Sequence, residues 1–142
     1  MGLLTIVDVL AKIIASIGVL IAAFSYYRQV RIKHAEWLNS LFEKFFENQC
    51  YKEVRGWLDY DELDQKLKTQ NDNIKRENEE KFTDFLNFFE FIGVLYFRKE
   101  LNLEEVNNVF DYYLLKIKND INCQEWINKY GFEKLRNLIA KI

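Results

Sequence analysis

The feature that most restricts this chain is an uncharged apolar run near its N-terminus. The run covers residues 13–27 and is 15 residues long, which is shorter than the roughly 20 residues that a helix needs to cross a bilayer. Extending it back to Gly2 adds only two charges, Asp8 and Lys12, and gives 26 residues, or about 39 Å of helix. The acid precedes the base by four residues, the favourable order for an ion pair on one helix. This length is sufficient for a helix that crosses with some tilt.

The residues after the run indicate how such a helix would be oriented. Tyr26 and Tyr27 stand where an aromatic belt is expected, and three basic residues follow at once: Arg28, Arg31 and Lys33. Positive charge collects on the cytoplasmic side of membrane helices. We therefore predict a transmembrane anchor over residues 1–28 and a cytoplasmic domain over residues 29–142.

Two other interpretations of the N-terminal segment stay open. A cleaved signal peptide needs a basic region before the apolar run and a small-x-small cleavage site, whereas here the basic residues follow the run and large aromatics stand where cleavage would fall. A buried helix of a soluble protein would need more surrounding chain than the remaining residues easily supply. The single-pass anchor is the preferred interpretation.

Small residues recur along the predicted anchor at spacings of four, three, four and three. They form one stripe, which Asp8 extends and Lys12 flanks: Ala11, Ala15, Gly18, Ala22 and Ser25. Small residues let membrane helices approach closely, and a charged pair within a span usually faces protein or water. The stripe predicts self-association, with Asp8 and Lys12 as possible pore charges. The alternative is an ordinary alanine-rich span whose ion pair rests in the headgroups.

Composition indicates an all-helical fold for the remainder. The chain has no proline and only five glycines among 142 residues, of which 49% are apolar, so it lacks the turn residues of a sheet protein. A net charge of −2 argues against direct nucleic-acid binding through bulk charge. We predict an all-α chain in which the anchor helix continues into a small cytoplasmic bundle of four to six helices.

Local patterns place the elements of that bundle. The densest apolar segment, residues 85–97, predicts a central helix in which Gly93 permits close packing. Asn102–Glu105 and Asn122–Glu125 each match an N-terminal capping signal, and Gly131 marks a break before the last helix. Residues 59–81 are the most polar and predict an exposed helix with a loop near residues 69–73; they could also form a docking surface. A further helix break is expected near Cys50 or Gly56.

Motifs for known chemistry are absent from the sequence. It has no glycine-rich phosphate loop, no nucleophile elbow and no zinc-protease motif. With one histidine and two cysteines, a Cys/His zinc cluster and a disulfide framework are excluded. Cys50 and Cys123 are expected to be reduced and half-buried. We predict no cofactor, no metal ion and no catalytic set.

One pair of residues nevertheless suggests chemistry. Arg28 and His34 are separated by five residues, a spacing that resembles the R-x(4–6)-H motif of the small helical nucleotide-binding domains found in prokaryotic ribonucleases. The resemblance implies that His34 would transfer protons and that Arg28 would stabilise phosphate charge. The motif of that family lies deep in its bundle, whereas this one directly follows the predicted span.

A second resemblance concerns the plan of the whole chain. The anchor segment SIGVLIAAFSYYRQ and the segment from Phe89 to Tyr96 with the capped helix after it resemble a bacterial family of small membrane-anchored helical proteins of unassigned function. The same plan is similar to the membrane accessory proteins of type VI-B CRISPR systems, which have one N-terminal span and a ribonuclease-like helical domain. That likeness implies anti-phage defence through oligomeric membrane pores.

Three functions follow from these observations. The first is an oligomeric membrane effector that forms a pore or disrupts the membrane when a protein or a nucleotide signal activates it. The second is a membrane-tethered adaptor or sensor that recruits a partner or binds a nucleotide signal. The third is a membrane-tethered ribonuclease that uses Arg28 and His34. The expected partners are membrane lipid and further copies of the chain.

Overall fold

The computed structural model describes residues 2–142, apart from the side chains of residues 3–5. Throughout this described part the chain is helical, with seven helices and no strand. The helices are α1 (Leu3–Glu47), α2 (Gln49–Asp59), α3 (Leu63–Leu67), α4 (Asp72–Phe97), α5 (Leu103–Asn119), α6 (Ile121–Tyr130) and α7 (Glu133–Ile139). The prediction of an all-helical fold is confirmed.

The chain divides into two units, and the division falls within α1. The first unit ends at Leu41, and the second is Phe42–Ile142. In the first unit every described side chain from residue 6 to residue 33 is exposed, and α1 is long and apolar enough to cross a membrane. The predicted boundary at residue 28 concerns membrane topology and stays a prediction. Met1, which the predicted anchor includes, lies outside the described residues.

The second unit is built around Phe45, in the last turn of α1. Its ring is fully buried and lies 5.1 Å from the ring of Phe88 in a stacked arrangement. Phe89 and Phe110 meet it edge-on at 5.2 and 5.3 Å. Such offset and edge-to-face contacts are the favoured geometries of aromatic pairs. The end of α1 is therefore a core element, held by rings from α4 and α5.

Arg55 on α2 caps the C-terminal end of α1. Its guanidinium donates to the backbone carbonyls of Phe45 and Phe46, the latter at 3.0 Å, and it lies 4.9 Å from the centre of each of those two rings. The last carbonyls of a helix have no partner within the helix and carry partial negative charge. Arg55 satisfies two of them, which explains how an arginine is tolerated at 7% exposure.

Helices α4 and α7 approach each other closely at Gly93. A Cβ atom added to Gly93 would lie only 2.8 Å from the backbone carbon and oxygen of Lys134, so a larger residue would push the helices apart. Three residues earlier, the carboxylate of Glu90 accepts hydrogen bonds from the amides of Lys134 and Leu135 at 3.0 and 2.7 Å. Because α7 has no side-chain cap of its own, Glu90 supplies it from a neighbouring helix.

Several local expectations are confirmed. Asn102 and Glu105 form the predicted capping box, with reciprocal hydrogen bonds of 2.9 Å. Gly131 adopts a left-handed conformation (φ 75°) at the end of α6, as a glycine permits. The loop between α3 and α4 covers residues 68–71, close to its predicted place. The break near Cys50 falls at Asn48, which caps α2.

Other expectations are wrong. Asn122 does not cap α6; Asp120 does, accepting from the amide of Cys123 at 2.9 Å, so this helix starts earlier than the NCQE signal indicates. Gly56 lies inside α2 and marks no break. The cysteines are not half-buried, since Cys50 is exposed and Cys123 is buried.

The polar segment 59–81 is exposed at most of its positions, as its composition predicts, but it also makes buried contacts. Leu63 and Leu67 are buried at 1% and 7% exposure. The amide of Asn78 donates to the carbonyl of Lys66 at 2.9 Å, and Lys81 pairs with Glu53 on α2 at 2.7 Å. Because these contacts join residues distant in sequence, no local pattern could reveal them. Most of the segment is part of the packed second unit.

The contact at Gly93 generates the first testable prediction. Gly93→Ala should lower the free energy of unfolding by about 1–3 kcal/mol, the usual cost of overpacking a core. Gly56→Ala is the matched control, because nothing lies within 4 Å of the added carbon and alanine favours a helix by about 0.4–1 kcal/mol. Thermal unfolding in a mild detergent, followed by circular dichroism, measures both. Equal melting temperatures for the two variants would contradict the close approach of α4 and α7.

Candidate functional site on the N-terminal helix

The charged pair predicted near the start of the anchor is formed in the structure. The ammonium of Lys12 lies 2.7 Å from the carboxylate of Asp8, and the two side chains are 74% and 61% exposed. One turn further on, the hydroxyl of Ser16 donates to the carbonyl of Lys12 at 2.8 Å. An ion pair this exposed contributes little to stability in water. The pair is therefore notable for its position in an apolar helix and not for its contribution to stability.

The small residues of the predicted stripe lie on one side of α1. At about 100° per residue, all of them fall within roughly 40° of a line through Ala11, and all are exposed: Ala11, Ala15, Gly18, Ala22 and Ser25. A Cβ atom added to Gly18 meets nothing within 4 Å. The stripe is thus an open surface that a second helix could approach. Self-association through it stays a prediction.

Arg28 and His34 are not brought together within the chain. Both lie on α1, and six residues of helix turn their side chains about 120° apart and separate them by about 9 Å along the axis. Arg28 is exposed and His34 is half-buried, with its ring 5.6 Å from that of Trp37. A general acid and a phosphate-binding group need to converge on one substrate atom. Within one copy these two residues do not.

A groove between α4 and α6 is a concave surface that sequence reasoning missed. It has a volume of about 450 Å³, and the rings of Trp126 and Tyr130, 4.9 Å apart, form one wall. The indole of Trp126 donates to the hydroxyl of Thr83 at 3.3 Å, and the ammonium of Lys129 lies over both rings. The two walls are more than 40 residues apart in sequence. The one local sign of the groove is therefore the i, i+4 spacing of Trp126 and Tyr130.

The two cysteines lie in opposite environments. Cys123 is fully buried, and burial together with the nearby Asp120 carboxylate raises the pKa of its thiol well above the usual range. Because the thiolate is the reactive form of cysteine, Cys123 is inert as a nucleophile. Cys50 is exposed.

The comparisons with known proteins give no relative for this chain, since no protein-family model, no curated protein and no solved structure matches it. Among the residues that the structure describes, no group of three or more histidine, cysteine, aspartate or glutamate side chains could hold a metal ion.

The placement of Arg28 and His34 leads to a second prediction. Because the two side chains diverge, we expect His34→Ala to leave any RNA hydrolysis by the purified full-length protein unchanged. A histidine acting as a general acid or base would contribute about 100- to 10,000-fold to the rate. Cleavage of a labelled RNA by wild type, His34→Ala and Arg28→Ala measures this. A loss of 100-fold or more in both variants would restore the ribonuclease hypothesis.

The cysteine environments lead to a third prediction. A thiol-specific maleimide at neutral pH should add once to the folded protein, at Cys50, and twice after denaturation. The high pKa and full burial of Cys123 should slow its reaction by at least about 100-fold. Intact-mass spectrometry counts the adducts, and Cys50→Ser is the control, expected to give no adduct while folded. Rapid double labelling of the folded protein would contradict the packing around α6.

Proposed function

We propose that this protein is an oligomeric effector of a bacterial inner membrane. In this proposal α1 crosses the membrane once, the second unit lies in the cytoplasm, and copies of α1 associate to form a pore or to disrupt the bilayer on activation. The observation that carries the proposal is a helix that is long and apolar enough to span, fully exposed along its apolar part, and marked by a small-residue stripe beside an ion pair.

The exposure of α1 supports the membrane location. Large apolar side chains such as Ile14, Leu20 and Phe24 are 68–69% exposed. Soluble proteins rarely leave contiguous apolar surfaces of this extent in water, and such surfaces mark membrane or protein contacts. A lipid environment would cover them without any further protein. The basic residues after Tyr27 favour a cytoplasmic second unit.

The stripe and the ion pair support self-association. Lipid gives membrane helices no hydrophobic reason to associate, so close packing of small residues is the usual cause. The Asp8–Lys12 pair lies at one edge of the stripe, where a helix interface or a wet lumen would shield it from lipid better than an outward orientation would. Association of helices through the stripe would therefore pack the small residues closely and, in the same contact, shield the ion pair from lipid.

The association with anti-phage defence rests on the resemblance to the type VI-B CRISPR accessory membrane proteins. In such a role a protein or nucleotide signal would act on the second unit. The same anchor would also suit an adaptor that recruits a partner and does not open a pore. The two functions differ in oligomeric state, which makes that state the decisive property.

The fourth prediction tests the stripe with two neighbouring alanines. Ala22 lies in the stripe, and Ala23 points about 100° away around the helix at almost the same depth. Ala22→Leu should shift the oligomer–monomer midpoint by at least about tenfold in concentration, because leucine prevents the close approach of the helices. Ala23→Leu should leave the midpoint unchanged. Mass photometry of the full-length protein in nanodiscs measures both.

Each other outcome of this measurement argues against part of the proposal. A wild-type protein that is monomeric at every concentration would favour the adaptor. A discrete oligomer that tolerates Ala22→Leu would place the interface elsewhere. If the wild type assembles and Ala22→Leu does not, planar-bilayer conductance of the two should differ in the same sense, and equal conductance would exclude pore formation through α1.

A further inference from the structure

The basic end of the predicted span carries a shallow concave surface of about 330 Å³ on one face of α1. Six side chains line it: Phe24, Tyr27, Arg28, Arg31, Ile32 and Ala35. Their spacing places them on one face, centred about 130° around the helix from the small-residue stripe. If the stripe packs against other copies, this face is turned toward lipid.

The order of side chains along this face matches the order of chemical groups in a phospholipid. Phe24 lies within the uncharged run, at the level of acyl chains, and Tyr27 ends that run. The guanidinium-bearing Arg28 and Arg31 follow within about 6 Å along the axis. Tyrosine favours the interface, where its ring meets hydrocarbon and its hydroxyl meets water. Arginine follows at the level of the phosphate.

The two arginines have no acidic residue within ion-pair reach along their own helix. No acidic residue occurs between Asp8 and Glu36, so neither guanidinium has a carboxylate three or four residues away, the reach of an ion pair along a helix. Residues three apart lie side by side on a helix surface. Both arginines are exposed, and guanidinium groups bind phosphate in a bidentate manner.

We propose that Arg28 and Arg31, with Tyr27 and Phe24, form a binding site for an anionic phospholipid on the lipid-facing side of α1. The phosphate binds between the two guanidinium groups, and an acyl chain packs against Phe24. A lipid with a net negative charge fits better than a zwitterionic one, because an added ammonium would meet two positive charges and no acid. The inference rests on the proposed membrane function and assigns a role to Arg28 that the ribonuclease hypothesis gave to catalysis.

The test uses a matched control on the same helix. Lys33 belongs to the same basic flank of the predicted span as Arg28 and Arg31, but it points about 170° away from the centre of this face. The full-length protein in a neutral detergent is titrated with phosphatidylglycerol or with phosphatidylcholine, and native mass spectrometry counts bound lipids. We expect the double variant Arg28→Gln/Arg31→Gln to lose at least about tenfold in phosphatidylglycerol affinity and Lys33→Gln to lose less than about twofold. The variant Arg28→Lys/Arg31→Lys keeps the charge without the bidentate geometry and should fall between them.

Three results would overturn the inference. Equal losses in Lys33→Gln and the double arginine variant would mean diffuse attraction to the whole flank. Equal binding of phosphatidylcholine and phosphatidylglycerol by the wild type would remove the charge argument. Displacement of phosphatidylglycerol by a short RNA that binds more tightly, and that the double variant fails to bind, would assign the arginines to RNA.

Carbonate extraction of membranes separates this inference from the proposed function. If the wild type is released from membranes at high pH, it is not embedded, and both proposals fail. If the wild type and the double variant both resist extraction but neither prefers phosphatidylglycerol, only the lipid site fails. Circular dichroism confirms that the exposed Arg→Gln changes leave the helical content intact.

Discussion

The burial of Phe45 is the interaction on which the second unit depends. This ring comes from the last turn of α1 and lies among rings that α2, α4 and α5 supply: Tyr51, Phe85, Phe88, Phe89, Phe110 and Tyr113. Arg55 then covers the carbonyl end of the helix. One continuous helix thus has two opposite requirements, because its apolar part is exposed along residues 6–33 while its last turn is enclosed by protein. An exposed apolar surface of this extent marks a contact with a membrane or with another protein.

Sequence predicted the features of this fold that are local. The capping box of Asn102 and Glu105 and the left-handed Gly131 depend on a few neighbouring residues, and both appear as expected. The predicted cap of α6 was wrong because Asp120 is both the C-cap of α5 and the N-cap of α6. No linker between the two helices marks the boundary in the sequence. Glu90 illustrates what no local pattern shows: it lies within the densest apolar run, and it caps a helix more than 40 residues away.

The features of the candidate site likewise divide into local ones, which the sequence predicts, and long-range ones, which it does not. The Asp8–Lys12 pair follows from a four-residue spacing and is present at 2.7 Å, and the small-residue stripe follows from helical periodicity alone. For Arg28 and His34 the spacing predicts only that their side chains point about 120° apart on one helix, and a catalytic role for the pair stays a prediction. The Trp126–Tyr130 groove joins walls distant in sequence, and its existence depends on tertiary packing that a single sequence does not display.

Helix rotation also decides how the basic flank can be used. In the sequence, one basic cluster of the kind that orients a membrane helix consists of Arg28, Arg31 and Lys33. Counted around the helix, the arginines share a face with Phe24 and Tyr27, while Lys33 shares one with the small residues. Helices that associate through the stripe would therefore keep the arginines among lipid headgroups and bring the lysines toward one another. Repulsion between those lysines would oppose assembly at this end of the span, and an anionic ligand or a partner that neutralised them would favour it. The basic residues that would orient the helix would thus also regulate the proposed assembly.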